Sequence, residues 1–375
     1  MKGNSVFFQS ILFILISSIG GIILSLSGMS IGWMVGTLVM ATILAFSRPV
    51  FLNLATERKG IPKYWLYIGQ AILGIELGQK INQSVLVTFT EHWSTILIIL
   101  LVSVGFSLIS GFVLWKWGQT DLLTSFFGTA PGGMSAMPGI AEEVGANTAV
   151  VSIIQAMRVF LVVLTVPLFV SYLEIRSTAP QELSTQPPAG EFEMLSVLWT
   201  VILAIAAIGG YYVGKYLRFP APWLVGSMVT VAIVQMIASA YTGHYIVAWW
   251  PHIVITLSQI FIAASIGSRF HKRMFVGLQR TVLVAFFSTI GLILSMFVCA
   301  YIVSKITGIP FITAALAFAP GGIAEMTTTS VVLHADAPFV VVVQVFRVLV
   351  VSLVLPPIFR LLNQWGERKM HSHVS

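Results

Sequence analysis

One stretch occurs twice, and it limits what this chain can fold into. Ala130-Pro131-Gly132-Gly133-Met134 and Ala319-Pro320-Gly321-Gly322-Ile323 lie 189 residues apart, each inside otherwise apolar sequence. Each is followed at the same distance by a Val-rich segment holding a Gln and an Arg: Gln155 and Arg158, then Gln344 and Arg347. Aligned without gaps, residues 130–170 and 319–359 share 13 identities in 41 positions, with Pro167 and Pro356 in register. Self-similarity at a fixed period guides the architecture before any local motif does. The chain is a duplicated domain: repeat 1 over 1–173, a polar linker over 174–193 with three Pro and four Glu, and repeat 2 over 194–375.

Charged residues make up 9% of the chain and hydrophobic residues 57%. Soluble domains carry roughly 25% charged residues. Apolar runs of 18 or more residues recur, about the length a helix needs to cross the hydrocarbon core. The fold class is therefore an all-α polytopic membrane protein. The net charge of +7 is spread over short loops rather than gathered on one face, which argues against nucleic acid as a partner. A single cysteine, Cys299, allows neither a disulfide framework nor a thiolate metal site within one chain. The apolar run at 6–26 could pass for a signal peptide, but its counterpart at 195–212 is internal, so it reads as a retained first span.

In order, the first half predicts spans at 6–26, 30–46, 64–80 and 93–116, a glycine-broken stretch at 121–145, and a long span at 147–173. The second half repeats this at 195–213, 222–241, 250–268, 277–304, 310–333 (the broken stretch) and 337–360. Gly20-Gly21 matches Gly209-Gly210, Trp33-x-x-Gly36 matches Trp223-x-x-Gly226, and Gln70 matches Gln259, within a shift of one residue. If the broken stretches cross the membrane, the repeats are parallel. If they dip in and return, each half crosses five times and the repeats are inverted. Lys and Arg in short loops mark the cytoplasmic side. With the N-terminus inside and both broken stretches re-entrant, Arg48, Arg58, Lys59, Lys63, Lys116, Lys215, Arg218 and the cluster from Arg269 to Arg280 all fall inside. Lys80, Arg176 and Lys305 fall outside with the acidic linker. Six crossings per half would put Lys215, Arg218 and the Arg269–Arg280 cluster outside. The pattern predicts two inverted repeats, each of about five transmembrane helices plus one re-entrant or broken helix, with both termini cytoplasmic.

Non-helical backbone at membrane depth is tolerated only where protein or a water-filled cavity satisfies it. Pro131 and Pro320 each remove a donor, and the glycines after them let the chain turn. Two half-helices then meet with open termini that can hold a small ion or polar solute. Interrupted segments at matched positions of inverted halves point to a secondary transporter's binding site. The plainer alternative is a kink in a packed helix. The substrate- and ion-binding candidates are Pro131, Gly132, Gly133, Ser135, Gln155 and Arg158 in the first half. In the second they are Pro320, Gly321, Gly322, Glu325, Gln344 and Arg347.

Glu325 follows Gly322 by three residues, so it is expected deep in the membrane, where a carboxylate suits a proton carrier or cation ligand. The alternative is a structural Glu paired with an Arg. Arg158 and Arg347 lie about eleven residues into their spans, too central to snorkel easily. Each shares a helix face with the Gln three residues before it. They read either as clamps for an anionic substrate or as holders of hairpin carbonyls or of Glu325. Gln70 and Gln259 could line the same cavity or bond between helices. Glu142 and Glu143 fit an inner mouth or a solvated loop. Glu76, opposite Ser265 in the repeat, carries no expectation. No Walker-type loop and no histidine ligand spacing are present, so no enzyme activity, metal or cofactor is expected beyond a coupling H⁺ or Na⁺.

The doubled Ala-Pro-Gly-Gly core, the trailing Gln-x-x-Arg and the Trp-x-x-Gly of the second span resemble the bacterial AbrB-type duplicated membrane proteins, over nearly the whole chain. That resemblance implies the bacterial cytoplasmic (inner) membrane. Members have been labelled regulators, and also ammonia monooxygenases. The leading expectation is a secondary transporter of a small anionic solute, with room for a homodimer. It predicts that Arg158→Ala and Arg347→Ala abolish flux in a folded protein. A membrane sensor that affects gene expression indirectly, and a membrane oxidoreductase of the ammonia-monooxygenase type, are the alternatives.

Overall fold

The computed structural model describes residues 2–47, 60–81, 83–131, 141–142, 145–176, 194–242 and 248–372. Gly132, Gly133, Ser135, Glu143 and most of the linker lie outside the described residues. Among the described residues the secondary structure is helical: α1 (Lys2–Ser25), α2 (Gly32–Ser47), α3 (Tyr64–Lys80), α4 (Gln83–Trp117), α5 (Leu122–Thr129), α6 (Thr148–Arg176), α7 (Met194–Tyr216), α8 (Pro222–Thr242), α9 (His252–Gly267), α10 (Gln279–Thr307), α11 (Phe311–Phe318), α12 (Ile323–Val332) and α13 (Ala337–Ser372). The ten predicted spans each fall on one helix. The largest differences are at α13, which ends at Ser372 rather than 360, and at α4, which begins at Gln83 rather than 93, residues 83–92 containing no Pro or Gly to stop it.

Seven helices (α1, α4, α6, α7, α8, α10 and α13) are long and apolar enough to cross a membrane. The chain is a multi-pass membrane protein. Phe8 (69% exposed), Leu15, Ile23, Phe287 (64%) and Leu294 point away from the protein, an outer face suited to lipid rather than water. Helices α2 and α9, of 16 residues, and α3, of 17, reach only about 24–26 Å.

The helices gather into two compact units, and each unit draws on both halves of the duplication. Unit 1 is Met1–Glu91, Val163–His271 and Ile323–Val341; unit 2 is His92–Val162, Lys272–Gly322 and Val342–Ser375. Unit 1 is built on close backbone approaches that only glycine permits. In α1 and α2, a Cβ on Gly20 would run into Gly36 O, and one on Gly36 into Gly20 O. Gly210 and Gly226 repeat this between α7 and α8. Gly78 of α3 meets Met228 O and Val231 of α8, while Gly267 of α9 meets Leu38 O and Ala41 of α2. These six glycines and their partners are repeat-equivalent within a shift of one residue, so the halves exchange the same contact.

Helices α3 and α9 also pack on each other. Ser258 Oγ donates to Gly69 O at 2.8 Å, and Ile61 N–H, just ahead of α3, donates to Ser268 Oγ at 3.1 Å. Rising numbers along α3 meet falling numbers along α9, so the two repeat-equivalent helices run antiparallel.

In unit 2, α4 and the residue after it are tied to α10. Thr281 Oγ1 donates to Gly118 O at 2.5 Å, Arg280 Nε to Trp117 O at 2.9 Å, and the Ser110 and Ser288 hydroxyls bond at 2.5 Å. The short helices flank the Pro-Gly-Gly stretches. Asp121 starts α5 by accepting from Thr124 N–H at 2.9 Å, which satisfies one orphan donor of its first turn. Helices α5 and α11 each have 8 residues and stop just before the proline.

Candidate functional site

A helix leaves its last carbonyls without intrahelical partners. The two short helices α5 and α11 end at buried residues, Thr129-Ala130 and Phe318-Ala319, so those carbonyls take donors from elsewhere in the protein. The Gln and Arg of the next long helix supply them. Gln155 Nε2 donates to Phe127 O at 2.9 Å, and Gln344 Nε2 donates to the equivalent Leu316 O at 2.9 Å. Gln344 Nε2 also reaches Ala319 O at 3.2 Å. Arg158 Nη1 donates to Thr129 O at 2.7 Å and Ala130 O at 3.0 Å. Arg347 Nη1 donates to Ala319 O, the repeat equivalent of Ala130 O, and Nη2 donates to Gly321 O at 2.7 Å. Gln-x-x-Arg is thus a C-cap delivered from a neighbouring helix, with the cation placed at the negative end of the short helix. Of the readings open from the residues, the guanidiniums hold break carbonyls; among the described residues no carboxylate pairs with them.

Four polar atoms of this cap are buried without a hydrogen-bond partner among the described residues: Gln155 Oε1, Arg158 Nε, Gln344 Oε1 and Arg347 Nε. They are the same two atoms in each half. Both guanidiniums are nearly fully buried (4% and 3% exposed), and the charge of Arg158 acts repulsively on Arg347. Unit 2 therefore holds two buried cations that repel each other and retain donor capacity.

Pro131 and Pro320 lie at these caps and are buried, as are Gly321 and the start of α12. Ser107 Oγ, which residue patterns did not single out, also donates to Thr129 O at 2.7 Å. Thr124 Oγ1 accepts from Asn147 N–H at 2.9 Å, so that threonine ties the first break to the start of α6. Glu142 is exposed, in keeping with a mouth or loop position.

Glu325 belongs to the other unit. It sits in the first turn of α12, which packs against α3 and α9 within unit 1. Its side chain is 9% exposed. The charge that registers on it is Arg269, just beyond the C-terminus of α9. Burial pushes the Arg269 guanidinium below the usual arginine range, and Glu325 and Tyr67 push it back up. The charge that acts on Glu325 is thus Arg269, at more than ion-pair distance, and neither Arg158 nor Arg347. The α12 hydroxyls mostly return to their own helix, with Thr328 on Ala324 O at 2.6 Å and Thr329 on Glu325 O at 2.9 Å. Thr327 Oγ1 is buried without a partner, and so is Gln259 Oε1 on α9. Gln70 is buried on α3. The interhelical bond expected of the two glutamines is made by their neighbours, Ser258 and Gly69.

The family model described as "Transition state regulatory protein AbrB" matches residues 6–363. The chain belongs to the AbrB family. The match takes in both breaks and both capping helices. Two relatives are similar along nearly their whole length. The Bacillus subtilis (strain 168) protein "Uncharacterized protein YhjN" is 52% identical over 375 residues, covering 98% of this chain and 97% of that one. The Escherichia coli (strain K12) protein "Putative regulator AbrB" is 27% identical over 351 residues, covering 91% of this chain and 95% of that one.

Proposed function

We propose that this AbrB-family chain is a secondary transporter of a small anionic solute, coupled to H⁺ or Na⁺, with its site at the two Ala-Pro-Gly-Gly breaks. The observation that carries the reading is the pair of buried guanidiniums in unit 2. Two mutually repelling cations, with no carboxylate partner among the described residues, are a costly arrangement in a low-dielectric interior. An anion placed against them offsets that cost and can take the Nε donors left over. Enzyme chemistry is not part of this reading.

The inverted-repeat plan of ten crossings and two re-entrant hairpins, with both termini on the cytoplasmic side of the inner membrane, belongs to the same proposal. Antiparallel packing of the equivalent helices α3 and α9 supports it, as does the distribution of Lys and Arg.

Purified protein in sealed proteoliposomes, under an imposed pH or Na⁺ gradient, is offered a panel of small mono- and dicarboxylates. Gradient-dependent uptake of at least one, lost in Arg158→Ala and Arg347→Ala variants that still elute as folded protein, is the expected result. No uptake across the panel, or uptake unchanged by either substitution, refutes the reading. The name of the Escherichia coli relative favours a second one, a membrane sensor that affects gene expression indirectly. That role requires a protein partner on the cytoplasmic loops, so cross-linking in cells that captures none counts against it.

A further inference from the structure

The repeat places charge asymmetrically in unit 1, and the asymmetry falls on Glu325. In the first half, Lys80 Nζ pairs with Glu76 at 2.6 Å, four residues back along α3. The position equivalent to Lys80, 189 residues on, is Arg269; the position equivalent to Glu76 is Ser265. Arg269 therefore has the basic side chain of the pair and lacks its acid. Ser265 Oγ is buried there with no hydrogen-bond partner among the described residues. Among the described residues no carboxylate lies within ion-pair distance of Arg269; the carboxylate whose charge reaches it is Glu325 on α12, which packs against α9, at a position occupied by Ala136 in the first half. The same cation that closes an ion pair within one helix in repeat 1 thus acts on the helix that follows the break in repeat 2.

We propose that Arg269 is the internal counter-charge of Glu325, and that Glu325 is a proton site at which the proton and Arg269 compete for the carboxylate. This rests on the transporter reading and names H⁺ as the coupling ion. A sodium ion bound to the same carboxylate would sit beside a guanidinium, two cations around one largely buried anion. A proton removes the negative charge without placing a second cation there. The ionisable groups on the elements packed against α12 are Tyr64, Tyr67, Glu76 and Lys80 on α3, and His252 and Arg269 at the two ends of α9. Helix α2, whose Met34 touches Thr329, carries none. Beyond α12 itself lie His334 and Asp336. Glu76 is already paired with Lys80, and Arg269 is the group whose charge registers on Glu325.

The test reads protonation of Glu325 directly. Dicyclohexylcarbodiimide adds to protonated carboxyls in apolar surroundings, and mass spectrometry of the full-length protein in lipid vesicles gives labelling at Glu325 as a function of pH. Arg269→Gln removes the counter-charge. Ser265→Glu rebuilds the first-half arrangement and draws Arg269 away, the acid being four residues ahead of the base as a helix favours. Both are expected to move the labelling midpoint of Glu325 upward by at least about one pH unit, a tenfold larger protonated fraction at a fixed pH above it. Arg269→Lys stays near the wild-type midpoint, and Lys80→Gln moves labelling of Glu76 instead. An unchanged Glu325 midpoint in whichever of the first two variants folds overturns the proposal, as does an equal shift caused by Lys80→Gln. If the midpoints shift as expected while vesicles take up no solute, the charge pair stands and the transport reading falls.

Discussion

Arg347→Lys keeps the positive charge in α13 and removes the fork. In the native protein two nitrogens of one guanidinium serve two carbonyls, Ala319 O and Gly321 O, two residues apart across Pro320. An ammonium is a single point and cannot reproduce that geometry. Ala319 O keeps Gln344 Nε2 at 3.2 Å, so Gly321 O is the carbonyl that loses its donor. A buried acceptor left unmade costs about 1–3 kcal/mol. At about 2 kcal/mol, local opening of the second break becomes roughly 30-fold more frequent. Arg158→Lys is a different case. Among the described residues, one nitrogen, Nη1, serves both Thr129 O and Ala130 O, and Ser107 Oγ supports Thr129 O at 2.7 Å. An ammonium in the place of that nitrogen can keep both contacts, so the first break loosens by less than about 3-fold, within the range of a mild substitution. Hydrogen exchange read by mass spectrometry compares equivalent amides: Ala319 N–H, bonded to Ala315 O at 3.0 Å, and Ala130 N–H, bonded to Phe126 O at 2.9 Å. Exchange accelerated at Ala319 in Arg347→Lys, with little change at Ala130 in Arg158→Lys, is the expected pattern. Equal acceleration in the two variants, or the reverse order, refutes the distinction between one-nitrogen and two-nitrogen caps.

Gly36→Val and Gly226→Val should each destabilise unit 1 by about 1–3 kcal/mol through overpacking against a facing carbonyl. Gly105→Val, where nothing lies within 4 Å of the new Cβ, should leave the thermal unfolding midpoint in detergent nearly unchanged. Asp336 accepts from Phe339 N–H at 3.0 Å at the start of α13, and burial still pushes its carboxyl above the usual aspartate range. A raised carboxyl binds protons more readily in the folded state, so its contribution to stability is present below the ordinary aspartate value and is lost as pH rises through the folded value. Thermal unfolding of Asp336→Asn from pH 4 to 7 should lack that loss; an unaltered pH dependence removes Asp336 as its source. Single cysteines at the ends of each break, in sealed vesicles on a Cys299→Ser background, should label from one side per break and from opposite sides for the two breaks. Labelling from both sides across one break means that it crosses, and the re-entrant plan fails.

Much of the architecture was open to reading from residue order. Helices form over the apolar runs, even across single glycines and Pro167, because backbone groups in lipid must bond within their own segment. The 189-residue period located both breaks and both Gln-x-x-Arg pairs, since each half repeats the same local rules. Spacing alone could also put each Gln and Arg on one helix face. It could not say what they touch. A buried guanidinium takes whichever acceptors its neighbours present, and those were the terminal carbonyls of α5 and α11 rather than an acid. Arg269 was legible only as a loop charge, though its equivalence to Lys80, with Ser265 in place of Glu76, was there to be found. Its action on Glu325 depends on α12 packing against α3 and α9, a meeting of segments more than fifty residues apart that no local pattern encodes. The division into two units that each interleave both halves has the same origin. Periodicity sets which face of a helix is buried, but the helix that covers it is chosen by the packing of all of them together.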